Sequence, residues 1–284
     1  MATHATPTKS HKAKLQGTGT RLFGSLQSWR CAVRVVLIAV LLSLFLASTT
    51  DNAWRTSGSS SLDSFVSSLE HYKIVKSESV GRAMRKVDRA KYVRDPTFAY
   101  EDSPQPIGYD ATISAPHMHA WCLELFEDTM KPGMAVLDVG SGSGYLTACF
   151  AQMLRDRFPD NPGKVIGIDI IPELVEYGQE CTTKANPDLM APEGPVVFKI
   201  ANGWEGAPES APFDFIHVGA AADTMPQSLV DQLAPGGKMV IPVRESPKSY
   251  DQGLYMVEKP MGGEAKPVVE YLMGVRYVPL VKSL

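Results

Sequence analysis

The apolar run Val136-Leu137-Asp138-Val139 passes directly into Gly140-Ser141-Gly142-Ser143-Gly144, and an apolar helical pattern follows. A strand that delivers an acidic residue into a glycine turn ahead of a helix is a layout for holding a ligand. Glycine lets the backbone come close and adopt dihedrals that a side chain forbids. The spacing is G-x-G-x-G and departs from the G-x-G-x-x-G of dinucleotide sites. A helix N-terminus favours an anion, but Asp138 ahead of the turn repels a pyrophosphate and suits a cationic amino group. Asp169 closes the next strand, Ile166-Gly167-Ile168-Asp169, where a carboxylate can accept from both hydroxyls of a ribose. An adenosine carrying an amino acid, S-adenosylmethionine, satisfies both carboxylates. Each feature alone also fits a plainer role, a structural turn for the glycines and a strand-end turn for Asp169. Their pairing favours the ligand.

Other residues with chemical potential read less sharply. His117 and His119 stand two apart with no third ligand near them in the sequence, so no metal site is expected. His119 fits either a place beside the ligand or a packing role. His217 ends the strand Phe213–Val218, as a substrate contact or as a partly buried histidine bonded to backbone. Asp214, earlier on that strand, is expected to be structural. Ser114, with Pro116 two residues on, has the makings of a helix cap. Cys31, Cys122, Cys149 and Cys181 form no C-x-x-C pair and no zinc spacing. Cys122 and Cys149 fall in apolar helical patterns and read as buried thiols.

The elements that position these residues alternate along the chain. Leu62, Phe65, Val66 and Leu69, then Val80, Met84 and Val87, are spaced as two short helices that pack onto a larger body. Tyr100–Ala115 contains Pro104, Pro106 and Gly108 and reads as a structured loop ahead of a helix through Trp121, Leu123, Leu125 and Phe126. Strands are expected at Met134–Val139, Val165–Ile168, Val196–Ile200, Phe213–Val218 and Lys238–Val243, the last after a Pro235-Gly236-Gly237 turn. Helices fall at Leu146–Leu154, from Pro172, and over Leu229–Leu233. Such alternation predicts a mostly parallel sheet covered on both faces. Gly253–Glu258 and Pro267–Val278 have no helix between them and read as an antiparallel hairpin at the sheet edge.

The 284 residues are 44% hydrophobic and 21% charged, which is globular. That composition excludes a disordered chain and a polytopic membrane protein. Six of the 28 basic residues lie in residues 1–50, which contain no acidic one, leaving 22 basic against 31 acidic in the remainder. An acidic body argues against a nucleic-acid partner. The early basic residues precede the apolar run Val35–Ala47, broken only by Ser43. A basic flank and a short apolar core suit a signal peptide, an organelle presequence or a single-pass signal anchor. The run is shorter than the roughly 20 residues of a full span. Ser and Thr then dominate Ser48–Ser64, a linker composition. The expected organisation is a targeting or anchor segment with linker over 1–60 and one α/β domain over 61–284, with a helical cap at 61–130. Membrane contact is expected only through residues 33–47. The compartment stays open.

These residues resemble the class I methyltransferases, whose Rossmann-like sheet is mostly parallel and seven-stranded with an antiparallel C-terminal strand and helices on both faces. More closely, the body resembles the protein-L-isoaspartate (D-aspartate) O-methyltransferase family. The resemblance rests on Asp102-Ser103-Pro104-Gln105-Pro106-Ile107-Gly108-Tyr109-Asp110-Ala111-Thr112-Ile113-Ser114-Ala115-Pro116-His117-Met118-His119, on the Leu137–Gly144 turn, on Gly163–Asp169, and on His217-Val218-Gly219-Ala220-Ala221-Ala222. Asp231–Gly237 and Met273–Leu280 complete it, and it covers the chain from about residue 60. The glycine turn is shared by many methyltransferases, whereas Thr112–His117 is far more specific.

The resemblance implies methyl transfer from S-adenosylmethionine, leaving S-adenosylhomocysteine, to the free α-carboxyl of isoaspartyl residues in damaged proteins and peptides, usually by a monomer. The ester then closes to a succinimide that reopens partly as normal aspartate. It implies that Ala111, Thr112, Ile113 and Ser114 line the substrate and cofactor cleft, with Ser114 needed for transfer. His119, Asp138, Gly140, Ser143, Asp169, Ile170, Asn202 and Gly203 are the other implied cofactor contacts. For Ser114 two roles stay open, hydrogen bonding to the acceptor carboxylate and capping the helix. Asn202-Gly203 stands where the family commonly has Asp-Gly, at a position that touches the adenine amino group. Asn still accepts there but lacks the charge, so modestly weaker cofactor binding is expected. Trp204 takes the place of a smaller or basic residue. Val281 and the ending at Leu284 remove a contact that animal members make, so cofactor enclosure is expected to differ. The competing readings are another S-adenosylmethionine-dependent methyltransferase and a non-catalytic relative acting as an adaptor.

Overall fold

The computed structural model describes residues 61–246, 251–262 and 266–283. The basic and apolar segment read from residues 1–50, with its 33–47 stretch and Cys31, lies outside the described residues. Among the described residues no helix is long and apolar enough to cross a membrane.

Ser61 and Ser64 open the described chain with a reciprocal cap, each backbone N–H donating to the other's hydroxyl at 3.3 Å. Helix α1 (Leu62–His71) follows and buries Phe65, Val66 and Leu69. Ser64 therefore belongs to a helix, and the Ser/Thr-rich stretch gives way to structure before it. Helix α2 (Glu78–Lys86) buries Val80, Ala83 and Met84. Both helices join one cluster with Leu123, Phe126 and Phe150, as their apolar stripes predict.

Tyr100–Ala115 departs from the expected loop. Strands β1 (Gln105–Gly108) and β2 (Ala111–Ile113) pair antiparallel, so residues 61–130 hold a hairpin as well as helices. The prolines disguised it. A two-stranded ribbon leaves one edge of each strand unpaired, and Pro106 is tolerated there despite lacking an N–H. Tyr109 and Asp110 make the turn with φ of +56° each, the left-handed pair that a two-residue hairpin requires. Helix α3 (Pro116–Glu127) then starts behind Ala115, which makes no side-chain cap bond. Ser114 is not the cap. Instead Asp102 reaches across from the preceding loop and accepts the His117 N–H at 2.9 Å.

Seven strands form the main sheet in the order β5-β4-β3-β6-β7-β8-β9. They are β3 (Ala135–Val139), β4 (Lys164–Asp169), β5 (Val196–Ile200), β6 (Phe213–Val218), β7 (Leu233–Arg244), β8 (Gln252–Glu258) and β9 (Val268–Val275). Strands β3 to β7 run parallel, and β8 opposes both of its neighbours. This is the expected mostly parallel seven-stranded sheet, with an antiparallel hairpin at its C-terminal edge. The helices between the strands are α4 (Tyr145–Arg157), α5 (Pro172–Ala185), α6 (Pro187–Met190) and α7 (Gln227–Asp231). Leu233 starts β7 and does not end a helix. Pro235-Gly236-Gly237 lies inside β7, where pairing to β6 shifts register between Phe213 and Phe215. The expected turn is thus a bulge.

Side chains alternate across a strand, and β3 shows the consequence. Val136 joins the cluster under α4, while Leu137 and Val139 join the cluster of the opposite face. Asp138 shares the face of Val136. The chain runs from β3 outward to β4 and β5, then returns past β3 to β6 and β7. That reversal leaves a crevice at the carboxyl end of β3, where open α/β sheets hold ligands.

Candidate functional site

Asp138 and His217 are register partners across β3 and β6. Both lie on the face covered by α4, and both are buried. His217 Nδ1 sits 2.8 Å from Asp138 Oδ1, and the Thr147 hydroxyl from α4 donates to Asp138 Oδ2. Burial opposes charge on the imidazole. The neighbouring Cys122 sulfur and the Asp138 carboxylate outweigh it, and the His217 pKa is pushed up to about 10. His217 is therefore held by a carboxylate and not by backbone. Asp138 presents the crevice with a charge already matched inside the protein.

The glycine turn wraps the end of β3. Gly142 has φ of +52°, and a Cβ there would stand 2.9 Å from Ile107 Cδ1 of the hairpin. Its N–H donates to Asp169 Oδ2 at 3.2 Å, while Asp169 Oδ1 accepts from the Ile171 N–H at 3.1 Å. Burial raises the Asp169 pKa against the pull of these amides. One carboxylate thus ties the turn to the end of β4.

Three adjoining hollows surround this centre. The first, about 200 Å³, is lined by Ala111, Thr112, Gly140, Asp169, Ile170 and Gly203, and by Val278–Val281 of the C-terminal segment. The second is about 40 Å³ and is lined by Thr112, Ile113, Ser114, His119, Asp138, Gly140, Ser143 and His217. The third is an open cleft of about 1150 Å³ lined by Asp102, Thr112, Ser114, His117, Arg276 and Tyr277 among others. Thr112 and Gly219 touch all three, and Ser114 lines both the second and the third. The hairpin strand Ala111–Ile113 is the shared wall.

Asn202 is the expected contact that lines none of these hollows. Its Oδ1 accepts the Trp204 N–H at 3.0 Å and its Nδ2 donates to the Lys282 carbonyl at 3.1 Å. Gly203 does line the first hollow, and a Cβ on it would come within 2.8 Å of both Leu280 and Val139.

Residues 141 and 143 test the fit to S-adenosylmethionine. Both serine hydroxyls are buried without a hydrogen-bond partner. Buried polar groups ordinarily find one, and the amino-acid end of the ligand would supply it. The larger, less polar first hollow, with Asp169 on its wall, suits adenosine. The residues present therefore fit the group.

Arg89 was missed by the sequence reading, since a lone arginine carries no motif. It is fully buried, and burial lowers its pKa to about 10. It donates to the Ala99 carbonyl at 3.0 Å and to the Ser103 carbonyl at 3.5 Å, and it lies 3.3 Å from His119 Nδ1. A guanidinium cannot accept, so His119 Nδ1 must, and the ring proton sits on Nε2. Burial, and then the Arg89 charge, hold the His119 pKa well below the usual value. His119 is a fixed neutral donor beside the second hollow. Arg89→Met is expected to raise the His119 pKa, read from its imidazole shifts in an NMR titration. It should also lower the melting temperature, because the Ala99 and Ser103 carbonyls lose their donor.

Asp102 and Thr147 are the other functional residues that the sequence reading left without a role. Asp102 also holds His117 Nδ1 at 2.7 Å, in the open cleft. Thr147 interrupts an otherwise apolar helix face, a signal that a polar partner faces it. Asp214 is structural as expected, accepting the Ala135 N–H at 2.8 Å and pairing with Lys131. Cys122 and Cys149 are buried free thiols, and so is Cys181. Among the described residues no cluster suits a metal ion.

Comparison with known proteins agrees with this geometry. A family model described as protein-L-isoaspartate(D-aspartate) O-methyltransferase matches residues 60–284. The chain is 45% identical over 227 residues to protein-L-isoaspartate O-methyltransferase 1 of Arabidopsis thaliana, covering 80% of this chain and 94% of the relative. It is 40% identical over 228 residues to the protein-L-isoaspartate O-methyltransferase of Caenorhabditis elegans, covering 80% and 95%. A Plasmodium falciparum protein-L-isoaspartate O-methyltransferase, solved with S-adenosyl-L-homocysteine, superposes with a TM-score of 0.70. It is 34% identical, and the match covers 79% of this chain and 100% of that one.

Proposed function

The chain belongs to the protein-L-isoaspartate(D-aspartate) O-methyltransferase family, and we propose that Ser114 orients the acceptor carboxylate in its reaction. It is an S-adenosylmethionine-dependent protein carboxyl O-methyltransferase that acts on the free α-carboxyl of isoaspartyl residues, leading to succinimide-mediated repair. When bound, S-adenosylmethionine supplies the methyl group from its sulfonium.

The acceptor needs no general base. An α-carboxyl has a pKa of about 3.5 and is ionised at neutral pH. What the protein must provide is alignment, and alignment alone can account for a large share of a rate enhancement. The observation that carries the Ser114 reading is its place on the boundary between the small hollow and the open cleft. A hydroxyl there donates to the carboxylate and fixes which oxygen faces the methyl group. The freedom of Ser114 from any capping duty supports this. His119 and the two unpartnered serine hydroxyls would hold the amino-acid end of the cofactor. Asp169, Ile170 and Gly203 would hold its adenosine, and Ala111 and Thr112 would form the partition. Because one chain supplies every wall, the reading needs only a monomer. Residues 1–60 are taken as a targeting or anchor segment, which the basic flank and short apolar run support.

The test uses labelled S-adenosylmethionine and two peptides differing only in an isoaspartyl or a normal aspartyl residue. Base-labile label on the isoaspartyl peptide alone is the expected result. Equal label on both, or cofactor binding with no label on either, would overturn the reading.

A further inference from the structure

The first hollow is closed on one side by four consecutive residues near the chain end, Val278, Pro279, Leu280 and Val281. On its inner edge this segment pairs with Ala221. The Ala221 N–H donates to the Val278 carbonyl and the Leu280 N–H to the Ala221 carbonyl, both at 2.8 Å. Two bonds to one residue make a short attachment, and the segment is also held from its other side.

Trp204 supplies most of that hold. Its Nε1–H donates to the Leu280 carbonyl at 2.9 Å, and Lys282 Nζ lies 4.5 Å from the centre of its ring. Asn202 adds the bond from Nδ2 to the Lys282 carbonyl. Gly203 between them lets Leu280 come down against the strand. The two fastening residues are themselves fixed, since Asn202 Oδ1 takes the Trp204 N–H and the Ser228 hydroxyl donates to the Trp204 carbonyl. Neither Trp204 nor Asn202 lines the hollow.

We infer that Trp204 and Asn202 are positioning residues for the cofactor: they fasten the C-terminal segment over the adenosine hollow and so set how long the cofactor stays. The inference rests on the first hollow being the adenosine site. It assigns Asn202 a role other than the direct adenine contact expected from its position. It also locates the enclosure in a segment only a few residues long, with an indole as its anchor.

The experiment measures S-adenosylhomocysteine affinity and release by the full chain, using calorimetry and stopped-flow chase. Tight binding by the unaltered protein is the prerequisite, and its failure would count against the adenosine reading itself. Trp204→Ala should weaken binding about tenfold, from one hydrogen bond and one cation–π contact, almost wholly through faster release. The KM for an isoaspartyl peptide should not change. Amide exchange at Leu280 in the ligand-free protein should quicken. Trp204→Phe keeps the ring and loses the N–H, so it should fall between, and it serves as the deciding variant if the alanine form folds poorly. With Pro279–Leu284 deleted, Trp204→Ala should have no further effect. Asn202→Asp cannot donate to the Lys282 carbonyl and should release the cofactor a few-fold faster. Unchanged affinity in both Trp204 variants, or the same tenfold loss after the deletion, would overturn the inference. Tighter binding by Asn202→Asp would return that residue to a direct adenine contact.

Discussion

Asp138→Ala is expected to lower the melting temperature by about 10 °C and to weaken cofactor binding below detection. The change strips a carboxylate that is 1% exposed from an imidazole that is 6% exposed, and it leaves the Thr147 hydroxyl without its acceptor. Breaking a buried pair on one side costs about 3–5 kcal/mol, because the remaining charge stays desolvated. In a domain of this size each kcal/mol is worth roughly 2–4 °C. Asp138→Asn should cost less, since it keeps the shape and one acceptor. The same pair predicts a pH dependence. The folded pKa of His217 is raised to about 10, above an unfolded value of about 6.5. Its contribution to stability is therefore complete below about pH 6.5 and is lost as the pH rises toward 10. Melting temperatures across that window should decline in the native protein and decline less steeply in Asp138→Asn, where only the Cys122 sulfur still favours the imidazolium. A parallel decline in both would show that Asp138 is not what raises the His217 pKa. Binding that survives in Asp138→Ala would show that the pair serves the fold and not the site.

Much of the site could be read from the sequence because its parts lie in local runs. The Leu137–Gly144 stretch carries a strand, an acid and a turn within eight residues. Asp169 is marked by its own strand end, and backbone chemistry places both at the sheet's carboxyl edge. Ala111–Ser114 is legible through resemblance, although its surrounding prolines point to a loop where Ala111–Ile113 forms a strand. Pro104 and Pro106 break every local strand rule, and only the left-handed pair Tyr109-Asp110 would have betrayed the hairpin.

What stayed hidden depends on distance along the chain. The Asp138–His217 pair spans 79 residues and follows from strand register, which no single segment fixes. Arg89 acts through His119, 30 residues on, and neither residue looks unusual alone. Asp102 caps a helix that begins fourteen residues later, so the nearer Ser114 was the natural candidate. Trp204 stood out as a departure from its family, but its partner lies 76 residues away in the closing segment. In each case the missing information was which surfaces the sheet brings together. Sequence periodicity gives the inward face of an element and not what it meets there.

Ser114→Ala should lower kcat/KM for an isoaspartyl peptide by about 10- to 100-fold, the scale of one hydrogen bond to a charged group. The affinity for S-adenosylhomocysteine should stay within about twofold, because Ser114 only borders the cofactor's hollow. The melting temperature should not move. Helix α3 starts behind Ala115 without a side-chain cap, and Asp102 satisfies its leading N–H, so the hydroxyl holds no structural bond there. This separates the variant from Asp138→Ala, where binding and stability fall together. Ser114→Thr keeps the donor and should recover part of the loss. The pH profile gives a second discriminator. If the hydroxyl only aligns an already ionised carboxylate, kcat/KM is flat from about pH 5 to pH 8 in both the native enzyme and Ser114→Ala. A new ionisation in the native profile that disappears in the variant would mean that a proton moves through Ser114. A fall in melting temperature that matches the fall in rate would return it to the helix.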